Sequence, residues 1–238
     1  MGKNLIQQAR GRGGPRYKAP SFRYAGEAKH RTIVEGTVDA TIIDFIKCQG
    51  HLAPLAKLKY SDGTECLVQA AEGLKVGDKV QHGPQADATH PGNTLALKDI
   101  PDGASIFNIE SQPGDGGKFC RTTGTFAKVV GRVGDGIVIV LPSKTQRVFN
   151  VNCRACIGIV AGSGRTEKPF LKAGKKHYFK KARNKRYPSI RAAAQNAVDH
   201  PYGNKRTSRK AKNKPVGHDA PPGRKVGTLW PRRTGRKN

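Results

Sequence analysis

The chain has 238 residues and sets 44 Lys and Arg against 17 Asp and Glu, a formal net charge of +27. That length accommodates one or two domains, and the charge points to a polyanionic partner rather than to any particular fold. No stretch resembles a secretory leader and no apolar run approaches the ~20 residues of a membrane span, so secreted and membrane-spanning classes are not expected.

Leu, Ile, Val and Phe number 48, near the limit at which so charged a chain stops folding. They are unevenly placed. Residues 32–161 hold 37 of them with 13 basic and 13 acidic side chains, whereas the other 108 residues hold 11, with 31 basic and 4 acidic. The chain therefore reads as a neutral globular body between two cationic arms.

In chain order, the first arm contains Gly11-Arg-Gly-Gly-Pro-Arg16, too poor in apolar groups to offset the entropy of ordering. Residues 32–47 are rich in β-branched side chains and lack a helical stripe. Residues 56–60 (Ala-Lys-Leu-Lys-Tyr) alternate with the period of a half-buried strand, Ser61-Asp62-Gly63 supplies a turn, and residues 65–70 return as its partner. Residues 74–80 form a short loop and strand, and residues 83–92 a loop. A second group begins near Ile100, with strands expected over 106–109, 125–132, 136–141, 146–151 and 154–161. Between the first two of these lies Pro113-Gly-Asp-Gly-Gly117, too Gly-rich for regular structure. Strands at this spacing with glycine turns indicate small barrels, and two groups of this size predict two in tandem with a boundary near residues 98–101. The second arm is cationic, with one helix-compatible stretch at residues 189–198.

Tyr17, Phe22, Tyr24, Phe170, His177, Tyr178, Phe179, Tyr187 and Trp230 interleave with the basic residues of the arms. Aromatic side chains are wasted on a solubility tail, but stack on bases or fill grooves between RNA helices. The cations expected to meet phosphates are Arg10, Arg12, Arg16, Lys18, Arg23, Lys29 and Arg31 in the first arm. In the second they are Arg165, Lys168, Lys172, Lys175, Lys176, Lys180, Lys181, Arg183, Arg186, Arg191, Arg206, Arg224, Lys225, Arg232 and Arg233, with His177 among them. The turn at Gly116 and Gly117, followed by Lys118 and Arg121, offers backbone N–H groups and charge to a phosphate.

No nucleotide-binding, metalloprotease or hydrolase motif occurs in the chain, and no enzyme is expected. Cys153-Arg-Ala-Cys156 has the spacing of half a zinc site but no second ligand pair nearby, and at a strand start residues three apart point to opposite faces. Two ordinary thiols are the expectation there. The odd count of five cysteines agrees with reduced thiols in a cytoplasm. Asp199-His200 could fix a tautomer for a general base, yet no partnered nucleophile accompanies it, and a structural or RNA-contacting histidine is favoured.

Several phrases occur in one order: Asn108-Ile-Glu110, Pro113-Gly-Asp-Gly-Gly-Lys118, Cys153-Arg-Ala, Gly162-Ser-Gly-Arg-Thr-Glu-Lys-Pro169, Leu171-Lys-Ala-Gly174, Asn196-Ala-Val-Asp-His-Pro201 and Ala220-Pro-Pro-Gly-Arg-Lys-Val-Gly227. With them the chain resembles, nearly end to end, the ribosomal protein two family of the large subunit. Its compact length and the Arg-Thr-Glu-Lys-Pro phrase are similar to the archaeal type. The resemblance implies a mainly β architecture: a basic N-terminal arm over 1–31, an OB-fold barrel over 32–98, an SH3-like barrel over 99–165 and a basic extension over 166–238. It further implies arms threaded through large-subunit ribosomal RNA near the peptidyl transferase centre, with roles in assembly, subunit association and tRNA binding. The implied neighbours are other ribosomal proteins and the small subunit across the intersubunit face, with no membrane and no homo-oligomer. The family's functional histidine maps onto His200, with Asn196 beside it. Here Gly203 is followed by Asn204-Lys-Arg206 rather than a glycine run, and Ala192-Ala-Ala-Gln195 replaces the usual Gly-Val-Ala-Met. No cofactor is expected; structural Mg2+ bridging the arms to RNA suits the density of phosphates. The alternative is a free RNA-binding regulatory factor on the same barrels.

Overall fold

A computed structural model describes residues 5–32, 36–204, 215–221 and 223–227. The chain separates into two compact units, one from Ser21–Pro169 and one from Met1–Pro20 with Phe170–Asn238.

The Ser21–Pro169 unit is built on one ten-stranded sheet in the order β3-β2-β1-β4-β5-β10-β6-β7-β8-β9. β1 (Val38–Ile46) pairs antiparallel with β2 (Leu55–Tyr60), which returns through a tight turn as β3 (Glu65–Gln69). Gly63 in that turn takes φ 82, a left-handed conformation that costs glycine nothing, and the Asp62 carboxylate accepts the Thr64 N–H at 3.1 Å. β4 (Lys79–His82) flanks β1 on its other side. The second strand group contains β6 (Ser105–Phe107), β7 (Ala127–Val133), β8 (Gly136–Val140), β9 (Gln146–Asn150) and β10 (Arg154–Ile157). The mainly β reading holds.

One strand escapes the sequence pattern. β5 (Thr94–Ala96) is three residues long, too short for any period to show, and it exists because β10 pairs with it while β4 meets it in parallel at His82↔Thr94. β10 itself ends at Ile157, before Gly158 at φ 106, rather than running on to residue 161.

Two apolar cores sit in this unit. Ala40, Ile42, Leu58, Tyr60, Val68 and Val80 fill the first; Leu95, Leu97, Ile106, Ile109, Val129, Ile137, Ile139 and Phe149 fill the second. Leu95 and Leu97 thus pack with the second strand group although they precede residue 98. A smaller cluster of Ala53, Ala71, Phe107, Cys156 and Val160 draws on both groups.

In the other unit, Leu5, Tyr202 and Val226 form a small buried cluster, and Leu5 precedes α1 (Ile6–Gly11), whose Gln8 side chain accepts the Leu5 N–H at 2.8 Å. α2 (Ala173–Lys181) has no residue buried. It lacks an apolar stripe and carries Gly174, so sequence periodicity does not announce it. The helix-compatible stretch 189–198 shows the opposite outcome: among these residues only Ala192–Ala194 form a 3-10 turn, which ends at Gln195 in an extended conformation. Three alanines cannot nucleate a helix without a face to bury.

Candidate nucleic-acid interface

The approach to the first strand group is more ordered than a cationic arm requires. Ala28 bridges Leu67 on the outer side of β3, and Ala28 and His30 are buried. Residues 21–31 lie in the Ser21–Pro169 unit.

Glu110 contributes to holding this segment, through Arg154 and Gly116. Its carboxylate is fully buried. It accepts the N–H groups of Gly114 and Gly116 at 3.2 Å, the Arg154 N–H at 2.9 Å, and Arg154 Nε and Nη2 at 3.2 and 2.7 Å. Burial pushes this carboxyl up, but the hydrogen bonds and charge of Arg154 outweigh it and the net direction is down. Arg154 Nη1 then donates to the Arg31 carbonyl at 2.6 Å, the His30 N–H donates to Gly116 O at 3.0 Å, and His30 Nε2 donates to Asn108 O at 2.6 Å. Burial holds the His30 imidazole well below its ordinary value. One carboxylate thus ties the 28–31 segment, the glycine turn and the start of β10 together.

Four of the residues expected to meet RNA also have partners inside the unit. The N–H of Gly116 goes to Glu110 and that of Gly117 to the Asp115 carboxylate at 3.0 Å, so the turn directs these donors inward rather than towards a phosphate. Gly117 at φ 95 leaves no space for a side chain, since a Cβ would stand 2.3 Å from Asn108 Oδ1. Arg121 donates to Gly117 O at 2.9 Å and to Ala28 O, and Arg31 pairs with Asp62 while its guanidinium lies 4.6 Å from the Tyr60 ring centroid. Lys118, Arg23, Lys29, Arg165 and Lys168 remain exposed; Lys29 Nζ lies 2.8 Å from Glu27 and Arg165 Nε donates to Thr123 Oγ1 at 3.0 Å.

Cys153 and Cys156 are buried in two different apolar clusters, Cys153 with the second core and Cys156 beside Phe107. Burial pushes both thiols up to about 11, which disfavours the thiolate a metal needs.

In the other unit the cations face solvent. Lys172, Lys175, Lys176 and His177 are exposed on α2 or just before it, Lys180 is half-buried and Lys181 exposed. The aromatic side chains stand among them: Phe170 and Phe179 have ring centroids 5.2 Å apart, Arg183 lies 4.0 Å over Phe179, and Lys176 Nζ lies 5.6 Å from the Tyr187 centroid. Arg10 sits 5.9 Å over Tyr17. Arg12, Arg16, Lys18, Arg191, Asn196 and Arg224 are exposed, Arg186 and Lys225 half-buried. Arg16 meets His177, Lys181, Lys185, Arg186 and Tyr187 around a hollow of about 320 Å³. Lys185 and Asn184 are members of this group outside the expected contacts, and Asn184 carries no charge to mark it. Arg206, Arg232, Arg233 and Trp230 lie outside the described residues.

His200 is held by a compact turn. Its N–H and that of Asp199 donate to Asn196 O at 3.2 and 3.0 Å, Gly203 N–H donates to His200 O at 2.8 Å, and Asn204 N–H returns to Gln195 O at 3.1 Å. Gly203 permits the closure, because a Cβ there would lie 2.3 Å from Asn196 O. The His200 ring leans on Tyr202 at 5.2 Å, and Nδ1 accepts the Tyr202 N–H at 3.0 Å. Partial burial holds its titration below the ordinary histidine value. The half-buried ring keeps Nε2 as its remaining polar atom.

Comparison with known proteins places the chain in a family. A family model described as "Ribosomal Proteins L2, C-terminal domain" matches residues 90–220. The large ribosomal subunit protein uL2 of Archaeoglobus fulgidus is 47% identical over 235 residues, covering 99% of both chains. That of Methanococcus vannielii is 47% identical over 241 residues and covers all of both, and that of Haloarcula marismortui is 45% identical over 237 residues, covering 99% of this chain and 98% of its own. The chain belongs to the uL2 family of large-ribosomal-subunit proteins, and is a structural constituent of that subunit rather than an enzyme.

Proposed function

We propose that the chain binds large-subunit ribosomal RNA near the peptidyl transferase centre, and there supports assembly of that centre, subunit association and tRNA binding, in contact with neighbouring ribosomal proteins. The two strand groups act as OB-like and SH3-like bodies from which the cationic segments depart. The observation that carries the reading is α2: a helix with four lysines and three aromatic rings, none of its side chains buried. A helix of nine residues is marginal in water by itself. Its lysines neutralise phosphates and its rings meet bases. With about ten phosphates engaged at duplex-like sites, log K falls with log salt at a slope near −9. Mg2+ bridging the cationic segments to RNA would add to this, held chiefly by phosphate oxygens.

His200 is read as a shaping residue. Its Nδ1 accepts the Tyr202 N–H within the turn, which fixes the orientation of the ring in the loop and supports a shaping role. Residue-level crosslinking of the chain to RNA in intact ribosomes tests the assignment: crosslinks from α2 and the His200 turn to peptidyl-transferase-proximal RNA are expected, and their absence overturns it. Ribosomes carrying His200→Gln should assemble and form peptide bonds; normal assembly with loss of peptidyl transfer would assign His200 a chemical role.

A further inference from the structure

The hollow between Arg16 and the end of α2 shows an arrangement that electrostatics disfavours in an isolated protein. Arg16, Lys181, Lys185 and Arg186 border it, and no carboxylate lines it among the described residues. Like charges brought together this way repel, so their convergence needs a mechanical cause. Asn184 supplies it. The chain leaves α2 through a turn in which Lys185 N–H donates to Lys180 O at 2.9 Å, and Asn184 takes a left-handed φ of 48, a conformation asparagine tolerates. From there Asn184 Nδ2 donates to Pro15 O at 3.0 Å and to Lys18 O at 2.8 Å. The two carbonyls bracket Arg16. One amide therefore pins a segment more than 160 residues away in sequence and sets a fourth cation against three others.

We propose that this hollow is a site for a single extruded RNA nucleotide, its phosphate held by the four cations and its base against Tyr187, and that Asn184 is the positioning residue that assembles it. The inference rests on the ribosomal RNA reading above and specifies what kind of RNA element is taken. Phosphates of a duplex lie along a convex surface, and an extended basic segment reaches them from one side. A hollow with cations converging from two segments encloses its guest, which suits an unpaired nucleotide turned out of the stack. Lys176 covers one side of the Tyr187 ring, at 5.6 Å; the half-buried ring has its remaining surface for a base.

The test uses the full chain and large-subunit ribosomal RNA, with affinity measured across a salt series for Arg16→Gln, Asn184→Gly and the double variant, and with chemical probing of RNA backbone flexibility. Asn184→Gly keeps the left-handed turn and the formal charge while deleting the amide. Each single change should weaken binding about tenfold. The double should be no weaker than the stronger single by more than about twofold, because Asn184 acts through Arg16. Wild type should protect one or two unpaired nucleotides that both variants release. Asn184→Gly binding like wild type, additive singles, or protection confined to paired nucleotides would overturn the site while leaving ribosomal RNA binding intact. Failure of wild type to bind this RNA would instead overturn the broader reading.

Discussion

The two units of this protein handle positive charge in opposite ways. In Ser21–Pro169, three guanidinium groups are drawn inward and answered: Arg154 by Glu110, Arg31 by Asp62, and Arg121 by backbone carbonyls. In the other unit Lys172, Lys175, Lys176 and Lys181 stand in solvent, and Arg16 gathers with like charges around a hollow. Burying a charge is tolerable only with a partner, and the carboxylates needed for that are concentrated in residues 32–161, where 13 of the 17 reside. Where carboxylates are scarce the cations stay outside, available to an external polyanion.

The sharpest way to break this contrast is to remove the central partner in the strand unit. Glu110→Ala deletes the acceptor of five hydrogen bonds and leaves Arg154 facing a void; it should destabilise the unit by about 4 kcal/mol, measured by chemical denaturation followed by far-UV circular dichroism. A purely apolar loss serves as the reference. Ile139→Ala, in the second core, should cost about 3 kcal/mol in the same measurement.

Acidification probes the same interior more gently. Burial holds His30 well below its ordinary value and His82 down to about 3. Both stay neutral in the folded state and bind protons more readily unfolded. The stability they contribute is thus complete above about pH 6.5 and is lost as pH falls towards their folded values. The expected slope is up to about 1.4 kcal/mol per pH unit for each histidine. A stability profile flat between pH 6.5 and 4 would contradict the buried neutral state.

The smallest effect is expected across the contrast itself. Gly203→Ala, which would place a Cβ 2.3 Å from Asn196 O, should open the His200 turn to proteolysis. It should change the denaturation of the strand unit by less than about 0.5 kcal/mol. A loss comparable to Ile139→Ala would show that the two regions share stability.

Much of this was legible without coordinates. Alternation marks β2, and β-branched runs with glycine turns mark β1, β3 and the strands of the second group, because a half-buried sheet imposes a period of two and a tight turn demands positive φ. β5 carries no such mark, since three residues show no period and only the arrival of β10 makes them a strand. α2 is equally silent, as a helix without an apolar stripe leaves nothing for periodicity to find. Residues 189–198 mislead in the other direction: Ala-rich composition speaks for a helix, but propensity alone does not overcome nucleation.

The cations follow the same division. The distribution of residues along the chain determines by itself that a charge-balanced, apolar-rich body is joined to strongly basic segments, because net charge and apolar content are sums that no fold can change. Which cations remain available is decided only in three dimensions. Arg31 and Arg121 count as basic in any tally, yet they are spent inside the molecule, and the N–H groups of Gly116 and Gly117 turn to carboxylates rather than outward. Asn184 carries no charge and attracts no notice in the sequence, yet its amide brings Arg16 to the end of α2. Charge is a property of residues, whereas its availability depends on which partners the folded backbone places within hydrogen-bonding reach.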